Sequence, residues 1–421
     1  MNQRISGEKL HKDLIWNYGS LAIMSISGLL LNCLVALLYN ASIVGIFNRT
    51  YAWYCILSQI TVLGTHMSVL RLIPEYKKDI EICKQIITSA LAVSMICSII
   101  CVVLMELFLP FILIDSPLFL KSMQFAIPGL FFFSINKVLL NYLNGFLYMK
   151  SYAVFQSLRY VFMIGIVFFM GIMKIDGEYL SACYFLSEFM LFVLMFFYLY
   201  CSRLLGRRIK LKYIIEHIRF GLSILPANMV VELNTKVDIV CLGFILQDDY
   251  WIGIYSFAVI FTEGFYQLYI VIRKFYNPKL TESYFDGDFI REVAEMKNTL
   301  KRYLRILSPL ILFLIILGYY IICCIINHKE YSIGIEFLMI IGISIAINGG
   351  KIVFGNIFSQ TGFPLYESFI NLITVITNFI LNIVFILHWG VHGAALATAI
   401  SYMIYGIGIT YGTKKRLKIQ I

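Results

Sequence analysis

Four cations stand inside apolar runs long enough to cross a bilayer: Lys137, Arg159, Lys236 and Lys351. Lodging an ionisable side chain at mid-membrane costs roughly 2.5 to 3.5 kcal/mol on insertion scales, so each is a functional hypothesis by default. A cation held out of water suits a phosphate, because charge-assisted hydrogen bonds to phosphate oxygens are among the strong ones. Arg159 offers a planar fork for two oxygens, and each lysine a point charge. Lys137, Asn141 and Asn144 fall on one helical face; Gln156 and Arg159 stand at i, i+3; Asn348, Lys351, Gly355 and Ser359 form another ridge. Lys137 and Arg159 also sit near the ends of their runs, so two roles stand for each: a ligand in a cavity, or a side chain snorkelling to headgroups.

Acids and amides share these runs. Asn228, Glu232 and Lys236 recur at i, i+4, i+8, one face of a helix, with Pro226 just before them as a hinge that removes a backbone hydrogen bond. An intrahelical Glu232–Lys236 pair that only packs the bundle explains the same spacing. Asp238 lies about 200° round the helix from Lys236. Glu263 shares a face with Ser256 and Gln267, while Glu188 and Glu336 occupy other runs. A carboxylate held out of water can take a proton in one conformation and release it in another, which makes Glu232, Asp238 and Glu263 candidates for coupling to a proton or sodium ion. A third ridge, Glu367, Asn371, Thr374, Asn378 and Asn382, suits sugar hydroxyls, with Asn371 and Asn378 as candidate contacts. Interhelical hydrogen bonding accounts for it equally well.

The elements that must hold these residues follow from composition. Of 421 residues, 60% are hydrophobic and 14% charged, against about a quarter charged in soluble globular chains. Apolar spans are expected near 14–38, 49–70, 86–108, 119–142, 154–173, 179–201, 219–245, 251–273, 303–326, 332–354, 366–388 and 392–412. Twelve spans leave no large soluble domain and put both termini on one side. With that side inside, 26 of the 34 Lys and Arg fall in inner segments and only Arg49, Lys121, Lys174 and Lys329 outside. The net charge of +10 therefore reads as topology with both termini cytoplasmic, not as nucleic-acid binding. The N-terminal segment lacks a small-residue cleavage site and reads as a retained first helix. All four Trp fall near span ends, as an aromatic belt places them. Among Cys and His there is no C-x-x-C and no H-E-x-x-H, so neither a disulfide frame nor a metal is expected; His388 and His392 flank a tight outer turn.

The basic segment from Arg203 to Arg219 divides six spans from six, giving expected domains at 1–205 and 206–421. The halves echo one another. Val44-Gly45-Ile46-Phe47 follows the first span and Ile252-Gly253-Ile254-Tyr255 the seventh; Gly145 to Tyr152 follows the fourth and Gly362 to Phe369 the tenth. Echoes running in the same direction imply parallel repeats, two six-helix bundles related by a pseudo-two-fold along the membrane normal.

With Pro226 and Asp238, the segment Ile252 to Ala258 and the last helix Gly390 to Tyr402, the chain resembles the polysaccharide flippases (O-antigen translocase type) of the multidrug/oligosaccharidyl-lipid/polysaccharide exporter superfamily over essentially its whole length. The resemblance implies an all-α polytopic fold enclosing a central cavity, alternating access, and carriage of an undecaprenyl-pyrophosphate-linked sugar repeat across a bacterial inner membrane. It also implies membrane lipids and the polymerase and chain-length regulator of the same pathway as partners, with no cofactor. No G-x-x-x-x-G-K-[ST] is present, so a P-loop does not drive the transport, and no nucleophile-base-orienter set suggests an enzyme. Two other classes compete. A repeat-unit polymerase of similar length would carry a sizeable basic outer loop, and a cation or drug antiporter would have little use for four intramembrane cations.

Overall fold

Inside a bilayer every backbone N–H and C=O must find its partner within the protein, which leaves an apolar chain little choice but helices. The computed structural model describes the backbone of residues 7–112 and 116–419, and every regular element among them is helical. The basic side chains of Arg4, Lys9 and Lys12 lie outside the described residues. In chain order the α-helices are α1 (Gly7–Leu38), α2 (Ala41–Val62), α3 (Thr65–Tyr76), α4 (Ile80–Ile112), α5 (Pro117–Ala126), α6 (Gly129–Gly145), α7 (Met149–Ile172), α8 (Ala182–Cys201), α9 (Leu211–Ile245), α10 (Asp249–Asp286), α11 (Phe289–Ile326), α12 (Gly334–Val353), α13 (Ile357–Gln360) and α14 (Pro364–Gly412).

Eight of these segments are long and apolar enough to cross a membrane, ten when each of two bent pairs counts as one span. The expected twelve also requires the shorter apolar stretch Ala22–Leu38 and a division of α14 in two. That division has a physical basis. Gly390 holds φ 56 and ψ −133 inside α14, a conformation open essentially to glycine alone, and it falls where the outer turn between 388 and 392 was expected.

Both bent pairs lie in the first half. Helices α2 and α3 meet at 52°, and α5 and α6 at 40°. The first break is made by two left-handed residues in succession, Leu63 at φ 49 and Gly64 at φ 64. Helix α2 starts eight residues before the expected 49, because the Asn40 side chain caps it by accepting from the Ile43 amide at 3.0 Å. Arg49 is accordingly not an outer-loop residue. It is buried within α2, its guanidinium 4.0 Å from the Phe119 ring centroid. Helix α10 begins in the same way, Asp248 accepting from the Tyr250 amide at 3.0 Å, so the echoing segments at Val44 and Ile252 both follow an Asx cap and both are buried.

The segment between Arg273 and Arg305, expected to connect two spans on the inner side, is mostly helix. Helices α10 and α11 carry it as continuations of their spans and meet at Gly287. At 1.5 Å per residue, the 38 residues of α11 far exceed the roughly 20 that a bilayer core needs. Lys279 pairs with Glu292 across the turn, and Arg291 with Glu295 along α11.

The chain packs into two compact units, Met1–Glu232 and Leu233–Ile421, which divide inside α9. The first unit centres on buried Ile86, Ala90, Val138, Leu139, Leu191 and Met195 from α4, α6 and α8. In the second, Ile254, Phe257, Ala258, Leu338, Ile341 and Ile345 of α10 and α12 are buried. The N-terminal half of α9 is fastened to α3 and α4 through His217. His217 is fully buried, its Nδ1 2.8 Å from Ser68 Oγ and its Nε2 3.1 Å from the Ile86 carbonyl.

Candidate functional site

In the first unit a line of polar side chains joins α2, α6 and α9. Gln59 of α2, 3% exposed, stands one turn before the break at Leu63. Its Oε1 accepts from Lys137 Nζ of α6 at 3.2 Å, and its Nε2 donates to Glu232 Oε1 of α9 at 3.1 Å. One amide thus joins a cation and an acid that the sequence places 95 positions apart. The Phe133 ring, one turn before Lys137, has Lys137 Nζ 5.5 Å from its centroid and the Arg159 guanidinium at 4.7 Å. An aromatic face is attracted to a cation at this range. Asn141 donates to the Lys137 carbonyl at 2.8 Å and so turns back along its own helix.

Arg159 has a different partner. Its Nε lies 2.5 Å from Glu188 Oε1 and its Nη2 3.3 Å from Oε2, with Glu188 completely buried. Asn136 donates to the same carboxylate at 2.8 Å. The planar fork that the sequence offered to a phosphate is engaged by an internal acid, and the side chain, 14% exposed, does not snorkel. The added Asn136 donor helps this buried ion pair to offset its desolvation.

In the second unit Lys236 Nζ lies 3.1 Å from Glu263 Oε1 on α10. Asp238, facing elsewhere as its helical angle requires, is buried and accepts from the Tyr255 hydroxyl at 2.7 Å and from the Ile239 amide at 2.9 Å. Lys351 in the last turn of α12 donates to Asn348 Oδ1 at 3.2 Å, and Asn348 in turn donates to the Ser344 carbonyl. Asn378 is buried and accepts from Asn382, whereas Asn371 of the same ridge is exposed.

On α9, the Asn228 amide nitrogen is buried without a hydrogen-bond partner, a state that costs about 1 to 3 kcal/mol unless a ligand or water completes it. Pro226 sits inside α9, which continues through it. The four cations therefore separate by partner: Arg159 and Lys236 are paired with carboxylates, while Lys137 and Lys351 donate to neutral amide oxygens. An ammonium has three donors, so each of these two lysines retains capacity for an anion.

Gln59, Phe133, Glu188 as the partner of Arg159, and Tyr255 were not singled out as site residues from the sequence. Gln59 had one signal, the polar Ser58-Gln59 step within an apolar helix. Nothing in the spacing links Tyr255 to Asp238 in particular.

The chain belongs to the polysaccharide biosynthesis protein family, whose model matches residues 10–285. No curated protein matches it. Among solved structures, the lipid II flippase MurJ in an inward closed conformation superposes with a TM-score of 0.77 at 19% identity, covering 96% of this chain and 87% of MurJ. An inward-facing multidrug resistance transporter of the multidrug/oligosaccharidyl-lipid/polysaccharide exporter superfamily gives 0.73 at 15% identity, covering 93% and 94%. A transporter of that superfamily from Pyrococcus furiosus, described by a reversed polarity of its binding pocket, gives 0.61 at 12% identity, covering 97% and 94%. At these identities the likeness is one of fold: this is a multi-pass, all-helical membrane protein with the architecture of that superfamily.

Proposed function

We propose that the protein is a flippase that moves undecaprenyl-pyrophosphate-linked oligosaccharide repeat units, precursors of O-antigen or capsule, across the bacterial inner membrane by alternating access coupled to an ion gradient. Membership of the polysaccharide biosynthesis family and a fold shared with a lipid II flippase support the cargo class. The observation that carries the reading is Lys137: a cation inside an apolar unit, held by the neutral Gln59 amide, with ammonium donors left for a pyrophosphate oxygen. Asn228 and Asn141 are proposed to meet the sugar or pyrophosphate, as are Asn371 and Asn378 in the second unit. Arg159 in the first unit, and Lys236 and Lys351 in the second, are further candidate cations for the pyrophosphate, Arg159 and Lys236 after exchanging their carboxylates.

Glu232 is the leading coupling acid because it shares Gln59 with Lys137, so a change in its protonation is felt at the cation through one amide. Asp238 and Glu263 are the other two, and Pro226 is the proposed hinge. Both termini are assigned to the cytoplasm from the Lys and Arg distribution.

The test is deletion of the protein in its host, with lipid-linked repeat units assayed on each face of the inner membrane. Single units trapped on the cytoplasmic face are expected. Single units that reach the outer face unjoined would refute the flippase and indicate a polymerase.

A further inference from the structure

We propose that the second unit carries a site for the phosphate headgroup of an anionic phospholipid from the cytoplasmic leaflet, built by α11 and α12. The proposal stands independently of the flippase reading.

A cavity of about 320 Å³ opens where the start of α11 passes the end of α12. Four cations line it: Lys297, Lys301 and Arg305 of α11, and Lys351 of α12. The first three recur at i, i+4, i+8, so they form one face of the helix, and like charges at that spacing disfavour a helix on their own. Among the described residues no carboxylate pairs with Lys301, Arg305 or Lys351. An anion in the cavity would supply these three with a counter-charge.

The remaining lining says which anion. Leu300, Leu304, Ile347 and Phe354 make the rest of the wall apolar. Ile347 is 63% exposed, and the exposed surface continues away from the cations as Ile343 and Met339 on α12 and Leu310, Phe313 and Leu314 on α11. A soluble phosphate has no use for such a track, whereas acyl chains attached to the phosphate do. The cations mark the end of the helices that the Lys and Arg distribution puts in the cytoplasm, and basic pockets between membrane helices on that side favour anionic headgroups.

The test uses the full-length purified protein in detergent, exposed to equal amounts of dioleoylphosphatidylglycerol and dioleoylphosphatidylcholine and read by native mass spectrometry. The wild type is expected to retain phosphatidylglycerol preferentially. Lys301→Ala with Arg305→Ala should weaken that retention roughly 25-fold, at about fivefold for each cation near an anionic lipid. Lys301→Arg with Arg305→Lys should keep the preference, which separates loss of charge from loss of fold. Equal retention of the two lipids by the wild type, or an undiminished preference in the double alanine variant, would overturn the proposal. So would binding of inorganic pyrophosphate without retention of phosphatidylglycerol, which would assign the pocket to a phosphate that does not come from the bilayer.

Discussion

Gly221 of α9 packs against the carbonyl of Leu63: a Cβ added at 221 would stand 2.0 Å from that oxygen. The left-handed step at Leu63 and Gly64 that bends the second span is therefore also the seat on which α9 rests, one turn after the buried His217. Helix α9 then carries Glu232 to Gln59, so the backbone break and the polar line belong to one construction.

Gly221→Ala should be strongly destabilising, since the obstructing atom is backbone and cannot rotate away. Thermal unfolding of detergent-purified protein, followed by size-exclusion chromatography with fluorescence detection, will show a lower midpoint or little folded protein. Gly165→Ala is the control: nothing lies within 4 Å of its added Cβ, and alanine in a helix interior is favoured over glycine by about 1 kcal/mol. A midpoint for Gly221→Ala equal to that of the control would refute the seat.

Lys137→Ala should abolish surface polysaccharide while the protein remains at wild-type level in the membrane. Gln59→Leu, which removes both amide bonds at once, should reduce polysaccharide without reaching zero, because the cation itself persists. Gel profiles of extracted polysaccharide beside membrane immunoblots check both. Wild-type profiles in Lys137→Ala would remove the polar line from the mechanism.

Arg159→Ala should behave differently. Removing one partner of a buried ion pair leaves the other charge uncompensated, at about 3 to 5 kcal/mol, so the expected defect is in folded protein and not only in transport. Combining Arg159→Met with Glu188→Leu should restore much of the membrane level, since neither charge is then left alone. If Arg159→Ala accumulates normally and only transport fails, the guanidinium acts on cargo directly.

Tyr255→Phe should lower stability by about 1 to 3 kcal/mol, because it deprives the buried Asp238 carboxylate of a hydrogen bond and leaves nothing in its place. Asp238→Asn should cost less, as an amide oxygen can still accept from the hydroxyl. Denaturation midpoints of the two variants order them; a more stable Tyr255→Phe would contradict the contact.

For coupling, polysaccharide export is to be measured as the proton or the sodium gradient is collapsed. Glu232→Gln should lose dependence on one of the two gradients, and Asp238→Asn should keep it, because Asp238 already has two donors in a closed setting. The reverse result would transfer the coupling role to Asp238.

Much of this molecule was legible without coordinates. The excess of apolar residues over charged ones, and the basic segments separated by span-length runs, dictate a polytopic helical membrane protein, because a chain in hydrocarbon must satisfy its backbone internally. Apolar runs identified most of the charges that sit within spans, Arg49 excepted, and Asp238 faces away from Lys236 as its angle requires. Span ends were less legible. The capping Asn40 and the left-handed Leu63 act through single residues that an apolar average conceals, and the helical continuations of α10 and α11 look like polar loops when judged by composition.

Partnership was decided by tertiary structure. Lys137, Arg159, Lys236 and Lys351 look alike along the chain, each a lone cation in an apolar run. Packing gives Arg159 to Glu188 and Lys236 to Glu263, leaves Lys137 on an amide from α2, and gathers Lys351 with three cations of α11. The sequence by itself determined that charge is buried in the membrane, since residue type and local hydropathy settle that. Which charges are neutralised and which are kept for an anion depends on side chains tens to hundreds of positions away, and only the packing of helices brings those within hydrogen-bonding distance.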